Sequence, residues 1–123
     1  MNRKHKVLVI DDNQEILTGL ANFLSKKEFE VVTAQDGLEG LLTFEGDLQG
    51  IKLVITDVVM PNISGVGIIS ILKQKYPDLP VIAITGMGEH PGTLAREAKA
   101  DVVLEKPFDL KDLENWIRKL LKG

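Results

Sequence analysis

Five short apolar runs, spaced along the chain, constrain its fold more than any other feature. They are Val7-Leu8-Val9-Ile10, Val31-Val32-Thr33-Ala34, Leu53-Val54-Ile55-Thr56, Val81-Ile82-Ala83-Ile84 and Val102-Val103-Leu104. Each is rich in β-branched side chains and lacks the alternation of a half-exposed strand, the pattern of a strand buried on both faces. Between the runs the apolar period changes to that of a helix. Ile16, Leu17, Leu20, Phe23 and Leu24 fall on one side of the first such segment. Asp36 is placed to cap a second helix carrying Leu38, Leu41, Leu42 and Phe44, although Gly37 and Gly40 lower its intrinsic propensity. Residues 60–65 (MPNISG) read as a loop, with Ser64 placed to cap a third helix through Ile68, Ile69 and Leu72. Pro77 and Pro80 bracket a turn, and Pro91 suits the first turn of a short fourth helix from about residue 92 to 99. Asp109 is placed to cap a last helix with an apolar stripe of Leu110, Leu113, Ile117, Leu120 and Leu121.

Buried strands alternating with helices predict an α/β fold with a parallel sheet covered on both sides. Right-handed crossovers restrict it to a doubly wound open sheet. The chain has 123 residues, the size of one domain, with no internal repeat or linker. A single domain over 1–123 is expected, with its core from about 6 to 121.

Composition removes several functions. The chain has no Cys, which excludes disulfides, thiolate nucleophiles, Cys-ligated zinc and iron–sulfur clusters, and fits a reducing, cytoplasmic location. Fifteen Lys and Arg against 18 Asp and Glu give a net charge of −3, unsuited to direct nucleic-acid binding. The apolar runs are too short to cross a bilayer. The basic N-terminus is followed by only a four-residue apolar run, too short for a signal-peptide core, so no membrane partner is expected.

The informative polar residues follow the strands. Asp11 and Asp12 follow the first, Asp57 ends the third, Thr85 ends the fourth and Lys106 follows the fifth. Ligands of open α/β sheets bind beyond the carboxyl ends of the strands, so all five residues should converge there. Taken singly, each has an ordinary reading: Asp11-Asp12 as a helix-capping pair, Asp57 as a strand-end acid, Thr85 as a turn residue, Lys106 as a solvated lysine. Their joint placement at one sheet edge favours a shared site. Three carboxylates about 4 Å apart repel by roughly 4 kcal/mol per pair at an effective dielectric near 20, which calls for a cation. Oxygen ligands alone suit Mg²⁺. Lys106 adds the positive charge that phosphoryl transfer needs, Thr85 offers a hydroxyl donor, and Asp57 is placed to act as a nucleophile that forms an aspartyl phosphate.

These residues lie in VLVIDDN (7–13), VITDVVMPNISG (54–65), VIAITG (81–86) and LEKPF (104–108). In this order, with 46 residues from Asp11 to Asp57, 28 more to Thr85 and 21 more to Lys106, the chain resembles the receiver domain of a two-component response regulator, of the chemotaxis-regulator kind. The resemblance spans about 6–121. It implies a flavodoxin-like (βα)5 fold with strand order 2-1-3-4-5. It implies that Asp57 accepts a phosphoryl group from a histidine kinase or phosphotransfer protein, and that the chain catalyses only its own phosphorylation and dephosphorylation. Asp12, Asp57 and the Val59 backbone carbonyl would bind Mg²⁺ directly and Asp11 through water. Thr85 and Lys106 would hold the phosphoryl oxygens, and the Lys106–Pro107 bond would be cis. The face formed by the fourth helix, fifth strand and fifth helix would bind a downstream protein or an attached output domain.

Three positions depart from the family pattern. Val103 stands where many receivers carry the aromatic residue that swings inward when the threonine moves. Being short and stiff, it cannot make that swing. The readout is therefore expected to run through Thr85-Gly86-Met87-Gly88. Val59 and Met87 are apolar where many relatives are polar, which predicts slow loss of phosphate.

Three other readings compete. A Mg²⁺-dependent phosphatase of the haloacid dehalogenase type would need a second Asp two residues after Asp57, where Val59 stands. A flavin carrier would find phosphate repelled by Asp11-Asp12 and few aromatics to stack the ring. A non-switching scaffold of the same fold would have no use for a complete acidic site.

Overall fold

The computed structural model describes residues 4–58, 65–86, 95–96 and 98–122. Five parallel strands, β1 (His5–Ile10), β2 (Phe29–Ala34), β3 (Ile51–Asp57), β4 (Val81–Thr85) and β5 (Val102–Glu105), form one sheet in the order β2-β1-β3-β4-β5. The complete helices among the described residues are α1 (Gln14–Lys26), α2 (Gly37–Glu45), α3 (Gly65–Lys75) and the last, α4 (Leu110–Lys122). Each apolar run of the sequence is a strand. β2 begins two residues before its expected start, because Phe29 is itself buried and anchors it.

Strand alternation divides the core in two. Val7 and Val9, Leu53 and Ile55, and Ile82 and Ile84 pack against Leu17, Leu20 and Leu24 of α1 and Leu113 and Ile117 of α4. Leu8 and Ile10, Val54, and Val81 and Ala83 pack against Phe44 of α2 and Ile68, Ile69 and Leu72 of α3. Both faces of β1, β3 and β4 are covered, which is why these strands read as unbroken apolar runs, whereas the edge strands β2 and β5 are only partly buried.

The helix starts show where local reading succeeds and fails. Asp36 accepts the Glu39 N–H at 2.8 Å and Asp109 the Lys111 N–H at 2.9 Å, as their positions predict. Asp11-Asp12 is not the capping pair of α1. The cap is Asn13, whose Oδ1 accepts the Glu15 and Ile16 N–H groups at 2.9 and 3.3 Å. On α2, Leu38 and Leu42 do not join the core. They are exposed, and the buried residues are Gly37, Gly40 and Phe44. A Cβ on Gly40 would overlap the Ile10 side chain, so this glycine lets α2 lie close against β1. Of the expected fourth helix, Ala95 and Arg96 are helical, Ala98 and Lys99 form a turn rather than its end, and residues 92–94 and 97 lie outside the described residues, as does Ser64.

Candidate metal and phosphoryl site

The sheet register builds the site. β1 and β3 pair with Ile10 opposite Thr56, so Asp11 and Asp57 leave the sheet side by side at its carboxyl edge. The Asp11 N–H donates to the Ala34 carbonyl at 3.1 Å and the Val58 N–H to the Ile84 carbonyl at 3.0 Å, which ties both strand ends to their neighbours. Asp12 follows on the loop into α1. One carboxylate oxygen from each of Asp11, Asp12 and Asp57 lies within 4.8 Å of the others. Asp11 is 2% exposed and Asp57 8%, while Asp12 faces solvent.

Such crowding has an electrostatic cost. The Asp11 carboxyl is pushed up to about 6, chiefly by burial and further by the Asp57 and Asp12 charges. The Asn13 N–H that it accepts at 2.9 Å and the Lys106 charge both work the other way. Lys106 therefore stands within electrostatic reach of the acids. Its backbone N–H donates to the Thr85 carbonyl at 2.8 Å, which joins the ends of β4 and β5. The Lys106–Pro107 peptide is cis, as the resemblance implies. Thr85 is buried at the end of β4, in the alternation of Val81 and Ala83, and Val103 packs against that same side of the sheet.

The structure thus brings Asp11, Asp12 and Asp57 together directly, with Lys106 and Thr85 on the adjoining strand ends. Gly86 is exposed beyond β4. The expected roles of Val59 and Met87, and most of the glycine segment after Thr85, fall outside the described residues. Sequence reasoning gave no role to Gly65. Its N–H donates to the Val58 carbonyl at 2.9 Å, and a Cβ there would overlap the Asp57 carbonyl and stand 2.6 Å from the Val58 Cα. This glycine lets α3 start against the backbone of Asp57.

The donor set fits a hard divalent cation. It offers carboxylate oxygens alone, two of them nearly buried, and mutual repulsion that a cation would relieve. The fit carries a prediction. A carboxyl whose folded pKa is raised takes up protons more readily folded than unfolded, so without metal stability falls as pH rises from about 4 through about 6. In chelator, Asp11→Asn should gain about 1–3 kcal/mol at neutral pH and little near pH 4, since Asn still accepts the Asn13 N–H. Urea unfolding across this range checks it, and an Asn variant less stable than wild type at neutral pH would contradict it.

Comparison with known proteins follows the same lines. The sequence matches the family described as the response regulator receiver domain over residues 7–118. The probable transcriptional regulator ycf27 of Cyanophora paradoxa is 41% identical over 120 residues, 97% of this chain and 49% of that protein. Response regulator RR06 of Streptococcus pneumoniae serotype 2 is 36% identical over 94% of this chain and 52% of its own length. Among solved structures, a response regulator receiver domain protein from Clostridium thermocellum is similar with a TM-score of 0.90 and 36% identity, covering 96% of this chain and 94% of that one. The chain spans about half the length of these two curated relatives. Among the described residues, no helix is long and apolar enough to cross a membrane.

Proposed function

Because the chain belongs to the response regulator receiver domain family, we propose that it is a phosphorylation-dependent switch in which Asp57 accepts a phosphoryl group from a histidine kinase or phosphotransfer protein. The observation that carries this reading is the meeting of three carboxylates within 4.8 Å at the carboxyl edge of the sheet. An Asp57 oxygen attacks the phosphorus of a phosphohistidine, the P–N bond breaks, and its electron pair leaves with the imidazole. Lys106 balances charge on the phosphoryl oxygens, and the Thr85 hydroxyl donates to one of them. Asp12, Asp57 and the Val59 carbonyl would hold Mg²⁺, with Asp11 acting through water. When bound, the ion supplies the positive charge that lets an anionic donor approach an acidic pocket. Partner choice then changes across β5, α4 and the helix expected over about residues 92–99, toward a downstream protein or an output domain.

Acetyl phosphate with Mg²⁺ should add one acid-labile phosphoryl group per chain, and excess chelator should prevent it. Intact-mass measurement reads both. No adduct, or one indifferent to chelator, would contradict the reading.

The lifetime of the adduct is also expected to be long. Hydrolysis needs a water held in line with the phosphorus, and Val59 and Met87 offer no group to orient one. Val59→Asn and Met87→Glu should each speed loss of phosphate by about tenfold or more, below the roughly 100-fold or greater effect of an ideally placed acid–base group because neither new side chain has evolved its position. A phosphate half-life unchanged or longer in both variants would overturn this explanation.

A further inference from the structure

The surface of α2 has an unusual composition that the phosphoryl site does not use. Residues 28–51 contain six carboxylates, Glu28, Glu30, Asp36, Glu39, Glu45 and Asp47, and no Lys or Arg. Among the described residues, four large hydrophobic side chains are exposed, and three of them, Leu38, Leu42 and Leu48, lie in this segment. Leu38 and Leu42 are 51% and 61% exposed and stand one helical turn apart, so they form a pair on one face of α2. Asp36, Glu39 and Thr43 line a shallow groove of about 420 Å³ with them.

The local charges are not equally committed. Glu45 is paired with Lys75 at 2.7 Å and Asp47 with Lys6 at 2.6 Å. Among the described residues, Asp36 and Glu39 accept only backbone N–H groups, from Glu39 and Gln35. Among the described residues, no cation pairs with the negative charge at the end of α2 beside the leucine pair.

We propose that the outer face of α2 is a docking surface for a basic amphipathic helix of a partner protein. Its apolar residues would cover Leu38 and Leu42, and its Lys or Arg residues would meet Asp36 and Glu39. Charge complementarity selects this occupant. A nucleic acid would be repelled by the carboxylates, and a second copy of this chain would bring six more of them to the contact if it used the same face. The surface is also preorganised. Gly40 holds α2 against Ile10, and the Gln35 side chain donates to Gln14 Oε1 at 2.6 Å, tying the start of α2 to that of α1.

The test uses the full chain, unphosphorylated, with a short synthetic amphipathic helix of leucine and lysine as the probe. A peptide with glutamate replacing lysine in the same pattern is the control. The lysine peptide should bind, weaken as salt is raised, and shift backbone amides mainly within residues 36–48. The Leu38→Ser/Leu42→Ser double variant should bind at least about tenfold more weakly, while Leu110→Ser, at an exposed leucine elsewhere, should bind like wild type. Circular dichroism should show both variants folded, because these side chains already face solvent. Equal binding of the two peptides, affinity unchanged in the double variant, shifts centred outside α2, or no binding would each overturn the proposal. Self-association of the chain that is lost in the double variant would overturn it in favour of a second copy.

Discussion

Asp57→Asn should lower phosphoryl uptake from acetyl phosphate by about 100-fold or more while leaving the domain folded. The expected loss is large because an amide oxygen is a poor nucleophile at phosphorus and no other carboxylate occupies the same position. Asp11 turns to accept the Asn13 N–H, and Asp12 lies on the loop in solvent. The fold should not suffer, since the substitution is nearly isosteric and removes one of three crowded charges. In chelator the variant should be as stable as wild type or more so. Lys106→Ala should act differently, keeping metal binding at the three acids while slowing uptake, because the charge that meets the phosphoryl oxygens is gone. Uptake by Asp57→Asn at the wild-type rate would show that the nucleophile is another residue.

A second large effect is expected at a residue that carries no chemistry. Gly65→Ala should destabilise the protein by about 3 kcal/mol and reduce phosphoryl uptake. The added methyl has no space, because it would overlap the Asp57 carbonyl and crowd the Val58 Cα, and both obstacles are backbone. Relief requires α3 to retreat or the end of β3 to shift, and a shift of β3 moves the nucleophile. Gly19→Ala is the matched control. That position is exposed on α1 with nothing within 4 Å of a new Cβ, so alanine there should stabilise by about 0.5–1 kcal/mol. Urea unfolding of the two variants provides the comparison. A Gly65 variant as stable and as active as wild type would mean that α3 does not start against Asp57.

The contrast between these glycines shows what the sequence revealed and what it concealed. The sheet is legible because the β-branched runs mark its strands, the runs being buried throughout in β1, β3 and β4 and partly in the edge strands β2 and β5, and their carboxyl ends locate the acids. Asp11, Asp12 and Asp57 meet because β1 and β3 are neighbours, a consequence of topology that sequence spacing alone does not dictate. Gly65 looked like an ordinary loop glycine, because its reason for being there is a contact with β3, eight residues back at Asp57. Asn13 was hidden beside two more conspicuous acids, although Asn is as good a cap as Asp.

The exposure of Leu38 and Leu42 on α2 has a geometric reason. At about 100° per residue, Gly37, Gly40, Leu41 and Phe44 share one side of the helix, whereas Leu38 and Leu42 lie well round from it. The buried stripe is marked by two glycines and Phe44 and not by the leucines of the helix as a group. Gly40 in particular lowers helix propensity and is kept for its close approach to Ile10.

Borohydride trapping tests the central claim most directly, because it identifies the phosphorylated atom's own residue. An aspartyl phosphate is an acyl phosphate, and borohydride reduces it to the alcohol, which leaves homoserine in place of aspartate. After treatment with acetyl phosphate and Mg²⁺, peptide sequencing by mass spectrometry should find homoserine at position 57, with Asp11 and Asp12 intact and no conversion in chelator. Homoserine at position 11 or 12, or phosphate recovered on a serine, threonine or histidine with position 57 unchanged, would contradict the account.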